Sequence, residues 1–521
     1  MKKTVSLILA AVLAVLMFSC KSEDKKENPG KEQTGEALQN GGSITIYSLK
    51  DDTLCPILTD NDANRNMLCI VYESLISLND KMEPKGVLAT KWSASDDNLC
   101  WTVHIRNGVK WHSGDDFSAQ DVVYTVNQIK KNADSSYFYN TERITSVSAE
   151  GDRVIFKLKS PCSNFPNLLT FPIIKNNTHD IDRTYFVPCG TGAYTFSDKN
   201  EGNMYYLLKN ENWWGKDKAN IDEIKVRLLP DSETVMYSFS AGDIDVADTP
   251  IGNWGRFVSR SKTRSSSCPS TVYDFLGINH KNKALSKTEV RKALSKAISR
   301  RDIVGDIFAG DAEAVNSPIR KDWFMSSGKT VQDAADSEGA EKILTSNEWK
   351  KNGDVYRKKI GSSYVNLKFN LIVNEENANQ MNMAERVRLD AERAGYAITV
   401  IPLSYEEYLN RISSGKYDLF IGSVMLSAEL DYSFFLGTGN MFGFEDEKMN
   451  DILTKIANAD GKKEIKSAYS LIDARFKATV PIVGLCFENF NMIYNGRVHG
   501  NLKSVQGNIY NGIYSLSLKA D

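Results

Sequence analysis

The sequence predicts a layered α/β fold built around parallel βαβ units, and three observations carry that prediction. The C-terminal third alternates strand-like and helix-like segments with short connections, the pattern of crossover units packed on an open sheet. Several helices open on a Ser followed three residues later by an acid, the spacing that satisfies free N–H groups. The composition, 41% apolar, 25% charged and 10% aromatic, is that of a folded chain with a sizeable core.

Taken in order, MKKTVSLILAAVLAVLMFSC sets two lysines before an apolar run from Leu7 to Phe18. That run is too short to cross a bilayer as a helix and reads as an export signal over residues 1–19. Residues 20–42 contain no aromatic side chain and several Lys, Glu, Gly and Asn, which reads as a flexible tether. GGSITIYSL then starts the folded part, with Ile44 and Ile46 alternating as in a strand. DDTLCPILTDNDANRNMLCIVYESLI runs from a loop after Pro56 into a helix whose apolar positions include Met67, Ile70, Val71 and Leu75.

WTVHIRNGVKWHSGDDFSAQDVVYTVNQI reads as a strand, a turn at Asn107-Gly108, a second short strand and a helix. Ser118 and Asp121 cap that helix, and Val122, Val126 and Ile129 share its buried face. KTEVRKALSKAISRRDIVGDIF reads as one amphipathic helix capped by Ser286 and Glu289, burying Val290, Leu294, Ala297 and Ile298. VNLKFNLIV is a strand, ANQMNMAERVRLDAERAG a helix closed by Gly395, and YAITVIPL a strand again. Ser404 and Glu407 cap YEEYLNRISSG, and YDLFIGSV supplies the next strand. Ligands on open sheets sit at the carboxyl ends of strands, so SVMLSAELDYSFFLGTGN, residues 423–440, is a candidate site by position.

Several function classes are excluded. Lys plus Arg number 64 against 66 Asp plus Glu, with basic residues only in isolated pairs such as Arg300-Arg301, so no nucleic acid partner is expected. Beyond Cys20 the cysteines number seven, an odd set without Cys-x-x-Cys spacing, and read as small buried apolar residues instead of disulfides or metal ligands. The five histidines, His104, His112, His179, His280 and His499, lack ligand spacing, so no metal is expected. CGTGAY lacks the Lys-Ser/Thr ending of a phosphate loop and reads as a turn. No nucleophile, metalloprotease or Cys-His motif is present, so no enzyme activity and no cofactor are expected.

Two resemblances extend this reading. The N-terminus resembles that of bacterial lipoproteins, although Met17 and Phe18 replace the commonest Leu and small residue before Cys20. That resemblance implies cleavage before Cys20 and a diacylglyceryl thioether on its sulfur, holding the chain at the outer face of the cell membrane; the alternative is secretion with a free thiol. Further on, VYESLISLND, EPKGVLATKWSASDDNLCWTVHIRNGVKWHSGDDFSAQDVVYT, PCGTGAYTF, NENWWGKDKANIDEIKVRLLPDSETVMYSFSAGDIDVAD, FLGINHKNKALSKTEVRKALSKAISRRDIV and GKYDLFIGS occur in this order. Together they resemble the extracellular solute-binding proteins of the oligopeptide, dipeptide and nickel type that serve ABC importers.

The resemblance implies a two-lobed fold of the periplasmic binding protein kind, its lobes joined by two crossing strands, with an additional inserted domain. Lobe one would take 43–74, 184–272 and 493–521, the insert 75–183 and the second lobe 273–492. It also implies a monomer that closes around a peptide or other small solute and delivers it to an ABC permease; the alternatives from other classes are a secreted peptide hydrolase or a sensory lipoprotein.

Peptide-binding relatives hold an extended backbone between the lobes, with the ligand ammonium on an acid of the second lobe. Counted from YESL, first-lobe contacts fall on Asp60, Asn61 and Asp62, for which the alternative is a solvated turn. In the second lobe the usual Trp and Asp positions hold Val424 and Ser427, just past Ser423. Glu429 and Asp431, two and four residues beyond Ser427, are the acids nearest the expected anchor; alternatively Asp431 caps a turn whose Phe434, Phe435 and Leu436 pack inside. Tyr137, Phe138 and Tyr139 in the insert and Trp254 in lobe one are candidate aromatic walls.

Overall fold

Ile44 and Ile46, which alternate in the first strand, are completely buried. The computed structural model describes residues 38–39, 41–49, 53–178, 181, 186–199, 201–249, 262–328 and 334–519, and all of these beyond Leu38 belong to the body Gln39–Lys519. Cys20, the export signal, Trp254 and His179 lie outside the described residues. Strand β1 (Ser43–Leu49) leads to helix α1 (Asp62–Leu68), capped by Asn61. A separate antiparallel sheet comes next, from β2 (Ala89–Ala94), β3 (Cys100–Ile105), β4 (Ile144–Glu150) and β5 (Arg153–Leu158) in the order β2-β3-β5-β4, with α2 (Ala119–Lys131) packed against β4 and β5. The chain then rejoins β1 through β6 (Tyr194–Phe196), β7 (Met204–Lys209) and β8 (Glu223–Leu229), and β8 runs parallel to β1 with Ile224 opposite Ile44.

Seven strands build the other large sheet. They are β9 (Val246–Thr249), β10 (Arg264–Ile278), β11 (Ala312–Ala314), β12 (Lys368–Asn374), β13 (Ala397–Leu403), β14 (Leu419–Met425) and β15 (Val483–Tyr494). Their order is β9-β15-β10-β14-β12-β13, with β11 also paired to β15. Helix α3 (Thr288–Ala297) follows β10, α4 (Ala378–Arg393) links β12 to β13, and α5 (Tyr405–Ser413) links β13 to β14. Because β12 is parallel to both β13 and β14, these are the two βαβ units the alternation predicts. Helices α6 (Glu447–Ala457) and α7 (Gly461–Thr479) complete this part of the chain.

Two strands of this sheet serve two sets of cores. β10 and β15 pair antiparallel from Arg264 opposite Tyr494 to Leu276 opposite Val483, with register shifts at Pro269/Tyr273 and Asp274/Phe275. At one end Cys268, Met492 and Tyr494 pack with Ile44 and Ile224; at the other Leu276, Leu485 and Cys486 pack with Leu371 and Leu419. Between them lie Ser270 and Thr271 on β10 and Glu488, Asn489 and Asn491 on β15. These are the two crossing strands of a two-lobed binding-protein fold, with the sheet of β2–β5 as its additional domain.

Three local expectations are corrected. The helix after Pro56 ends at Leu68 and does not reach Ile70, Val71 or Leu75, because the Val71 carbonyl is taken by Gly192 N–H at 2.9 Å. The second short strand after Gly108 is a single bridge between Lys110 and Asp116. The segment after Ser286 is not one helix: α3 starts at Thr288 without a side-chain cap, Ser286 bonds back to Lys283, and the chain is extended at Ile298. There Ser299 N–H donates to Asp390 Oδ2 at 2.9 Å while the Ser299 hydroxyl caps Arg300–Asp302, so the helix restarts around a buried acid. The Ser118 capping box and the Ser404 cap form as read. All seven described cysteines are free thiols, with Cys55, Cys162, Cys268 and Cys486 buried.

The ordered sequence landmarks meet in space. Glu73 of YESL accepts from Trp214 Nε1 at 2.8 Å, Trp213 Nε1 at 3.2 Å and Thr191 Oγ1 at 2.7 Å, and the Arg106 guanidinium lies 4.3 Å from the Trp214 ring centroid. Gly190 backs so closely on residue 71 that a Cβ there would stand 1.9 Å from the Val71 oxygen. Four distant stretches thus share one knot. Enclosure of the carboxyl pushes Glu73 up to about 7, only partly offset by the two indoles, Thr191 and Arg106. The folded state therefore holds a proton that the unfolded chain has already lost, so this contribution to stability is present at low pH and lost as pH rises through about 7. Glu73→Gln is expected to lower the urea midpoint overall and to remove a pH slope of up to about 1.4 kcal/mol per pH unit between the unfolded and folded titrations; an unchanged slope in denaturation series from pH 5 to 8 contradicts this origin.

Candidate functional site

The loop after β14 is held in an unusual conformation by its surroundings. Leu430 has φ +55°, in the left-handed region that costs a branched side chain about 1 kcal/mol, yet its side chain is buried. The loop carbonyls have partners on both sides. Asn167 Nδ2 donates to Ala428 O at 3.0 Å, Asn164 Nδ2 to Glu429 O at 3.2 Å, and Tyr469 OH of α7 to Leu430 O at 2.9 Å. Asn164 precedes and Asn167 lies within a 3₁₀ turn, Phe165–Leu168, whose three-residue period brings them to one side.

Both candidate acids of this loop have partners in the β2–β5 part of the chain. Tyr139 OH donates to Glu429 Oε1 at 2.7 Å. Asp431 pairs with Arg143, whose guanidinium is also 4.0 Å from Glu429, and accepts from Ser433 N–H at 2.8 Å. Asp431 is therefore both turn cap and ion-pair partner. Glu429 is 2% exposed, and its Oε2 has no hydrogen-bond partner. Burial raises the Glu429 carboxyl above the usual range despite Tyr139 and Arg143. Phe435 and Leu436 are buried as the turn reading expects, whereas Phe434 is 55% exposed, because the short helix Ser433–Leu436 turns it away from the core.

The other residues read from the sequence have distinct environments. Asn61 spends its side chain on capping α1, accepting from Ala63 and Asn64 N–H, while Asp62 pairs with Arg65 and Asp60 is exposed. Arg65 Nη1 donates to Ser136 Oγ at 2.8 Å, and Ser136 Oγ donates to Thr59 O at 3.0 Å. Tyr137 packs half-buried against the first core, and Tyr139 is partly exposed above Glu429. A chain of contacts therefore runs from the loop before α1 through residues 135–139 to the loop after β14. Val424 packs against an aromatic core, and Ser423 is exposed and donates to Asp274.

Behind the loop lies a cavity of about 510 Å³, lined among others by Arg143, Cys162, Asn164, Glu429, Leu453 and Tyr469. A hollow of about 590 Å³ elsewhere, bordered by the Asp446–Arg475 ion pair, shares no residue with it. Along the crossing strands, Asp311 accepts from Ser267 Oγ at 2.5 Å, Asn489 Nδ2 at 3.1 Å and Asn491 Nδ2, tying both strands to one carboxylate. Arg320, 4% exposed, bonds Asn489 Oδ1 at 3.0 Å and Glu313 at 3.3 Å. Sequence reading missed Arg143, Asn164, Asn167, Asp274, Asp311 and Glu488. For Asp274 the signal was present: a charge within the apolar run Tyr273–Ile278 needs a partner.

The contacts around Asp431 yield a measurable coupling. A double-mutant cycle of Arg143→Ala and Asp431→Ala, read by urea denaturation, is expected to give about 1 kcal/mol, reduced from a fully buried pair because both groups are partly solvated. Additive losses would mean that the ion pair contributes nothing. Tyr139→Phe is expected to cost about 1–3 kcal/mol by removing the hydroxyl that donates to the buried Glu429 carboxyl.

Residues 83–443 match the family described as bacterial extracellular solute-binding proteins, family 5 Middle. The chain is 23% identical over 541 residues to the oligopeptide-binding protein AppA of Bacillus subtilis (strain 168), covering 98% of each. Among solved structures it is similar to the murein tripeptide binding protein MppA in its unliganded open form, at TM-score 0.80, 16% identity and coverage of 92% and 98%. It is likewise similar to a nickel ABC transporter protein from Bacillus halodurans, at TM-score 0.79, 15% identity and coverage of 92% and 100%. Such identities establish shared fold and leave cargo open. The chain belongs to the family 5 bacterial extracellular solute-binding proteins, the solute-capturing components of ABC importers.

Proposed function

We propose that this chain is an exported, lipid-anchored, monomeric receptor that captures oligopeptides or dipeptides between its lobes and delivers them to an ABC permease. The observation that carries the reading is the contact chain from Thr59 through Ser136 and Tyr139 to Glu429, which gathers three sequence-distant candidate segments. Similarity to an oligopeptide-binding relative along nearly the whole length supports the peptide class. The sequence around Cys20 supports the anchor. In this reading lobe one takes 43–74, 184–272 and 493–521, the insert 75–183 and the second lobe 273–492.

A second reading keeps the transport role and changes the cargo to a non-peptide solute. It is favoured by one observation: Glu429 and Asp431 are both engaged by the insert, through Tyr139 and Arg143. Native mass spectrometry of the full chain purified from cells grown in rich medium separates the two. A ladder of co-purifying peptide masses is expected; one dominant non-peptide mass, undisplaced by a random peptide pool, favours the second reading. Small-angle scattering should show a more compact particle on addition of the bound class, since closure is driven by ligand contacts made only in the closed state.

A further inference from the structure

Asp274 sits on β10 directly opposite Ser423 of β14 and Cys486 of β15, and Glu488 lies two residues past Cys486. This corner lies where β14 and β12 end and α4 begins, the end of an open sheet at which ligands bind. Asp274 is completely buried, Glu488 half-buried and Ser423 exposed. Ser423 Oγ donates to Asp274 Oδ1, Cys486 Sγ approaches Oδ2 at 3.5 Å, and the Glu488 carboxylate acts electrostatically on Asp274. Gln380 Nε2 donates to Ser423 Oγ at 3.1 Å, and its Oε1, on a residue 7% exposed, has no partner.

The corner is short of donors. Two carboxyl groups that repel each other, one of them completely buried, favour holding one proton between them, and the Gln380 carbonyl is left unmatched. Among the described residues no Lys or Arg side chain bonds to either carboxylate; the nearby Arg320 goes to Glu313, to Asn489 and to the backbone carbonyl of Glu488 instead. We propose that Asp274, Glu488, Ser423 and Gln380 form a receptor for a cationic group of the bound solute, a protonated amine or a guanidinium. The ligand N–H groups donate to the Glu488 carboxylate and Gln380 Oε1, and the shared carboxyl proton leaves to solvent past the half-exposed Glu488. One cation enters and one proton departs, so charge balances. This inference rests on the solute-capture reading and adds which ligand chemistry the cleft selects.

Burial first, and then the Glu488 carboxylate, hold Asp274 well above the ordinary carboxylate range, and burial raises Glu488 as well. The other titratable or charged groups facing the pair are the Cys486 thiol, Tyr273, and the Arg300 and Arg320 guanidiniums. Cys486 and Tyr273 stay neutral, raised by burial, and Arg300 is bonded to the carbonyls of Val315 and Gly484. Proton release on binding therefore belongs to the carboxyl pair.

Calorimetry on the full chain tests this with four random hexapeptide pools: Lys/Arg-containing, or with norleucine and citrulline in their place, each with a free or an acetylated N-terminus. Agmatine serves as a non-peptide cation. Cationic pools are expected to bind about tenfold or more tightly than the neutral acetylated pool, with about one proton released per ligand across buffers of different ionisation heat. Asp274→Asn and Glu488→Gln should abolish that preference and the release; Glu488→Gln, on the half-exposed partner, decides the matter if Asp274→Asn does not fold. Dependence on acetylation alone identifies the terminal amine as the cation, and dependence on side chains identifies a basic residue. Equal binding of neutral and cationic pools, or a preference that survives both substitutions, overturns the proposal while leaving peptide capture intact. Agmatine binding without any peptide binding upholds the receptor and overturns the peptide reading. Binding of neither overturns both.

Discussion

The crossing of β10 and β15 from one pair of cores to another leaves their middles without apolar cover, and the polar groups of the cleft follow from that constraint. A strand inside a core can bury Val, Ile or Phe on both faces. Midway between cores, the same strands carry Ser270, Glu488, Asn489 and Asn491, of which Ser270 and Asn491 are buried and Glu488 and Asn489 half-buried. Those groups still need partners. Asp311 and Arg320 provide them from outside the strands, and the register shifts at Pro269/Tyr273 and Asp274/Phe275 put irregular backbone where two lobes must reorient.

The insert contributes through the loop after β14. Three consecutive carbonyls, Ala428 to Leu430, accept from Asn167, Asn164 and Tyr469, and the two acids of the loop meet Tyr139 and Arg143. Burial of Leu430 compensates its left-handed backbone. Glu429 is the weak point of this arrangement, since half of its carboxyl is matched and half is not. A charged group in that state is costly to bury, which agrees with its upward-shifted titration.

The ordered landmarks of this chain meet in a structural knot. Glu73, Thr191, Trp213 and Trp214 hold one hydrogen-bonded cluster, and Gly190 is required where its backbone touches Val71. They fix the framework, and proteins described as oligopeptide-binding and as a nickel transporter are similar to this chain along nearly its whole length.

By itself the sequence determined the βαβ order, the caps at Ser118 and Ser404, and the family, because those depend on local periodicity and on residue types at fixed spacing. The helix that should have continued from Ser286 to Phe308 broke instead at Ile298, where Asp390, 91 residues away, claims a backbone N–H. Likewise the first helix stopped at Leu68 because a glycine loop far along the chain uses the Val71 carbonyl. Asp60, Asn61 and Asp62 were legible as polar, but only the folded chain assigns Asn61 to a cap and Asp62 to Arg65. Glu429 and Asp431 were legible as acids, and Tyr139 and Arg143, nearly three hundred residues away by chain, decide their state. Local pattern specifies which elements form; which carboxylates are free, paired or sharing a proton is set by distances between segments, and those exist only after the sheets have come together.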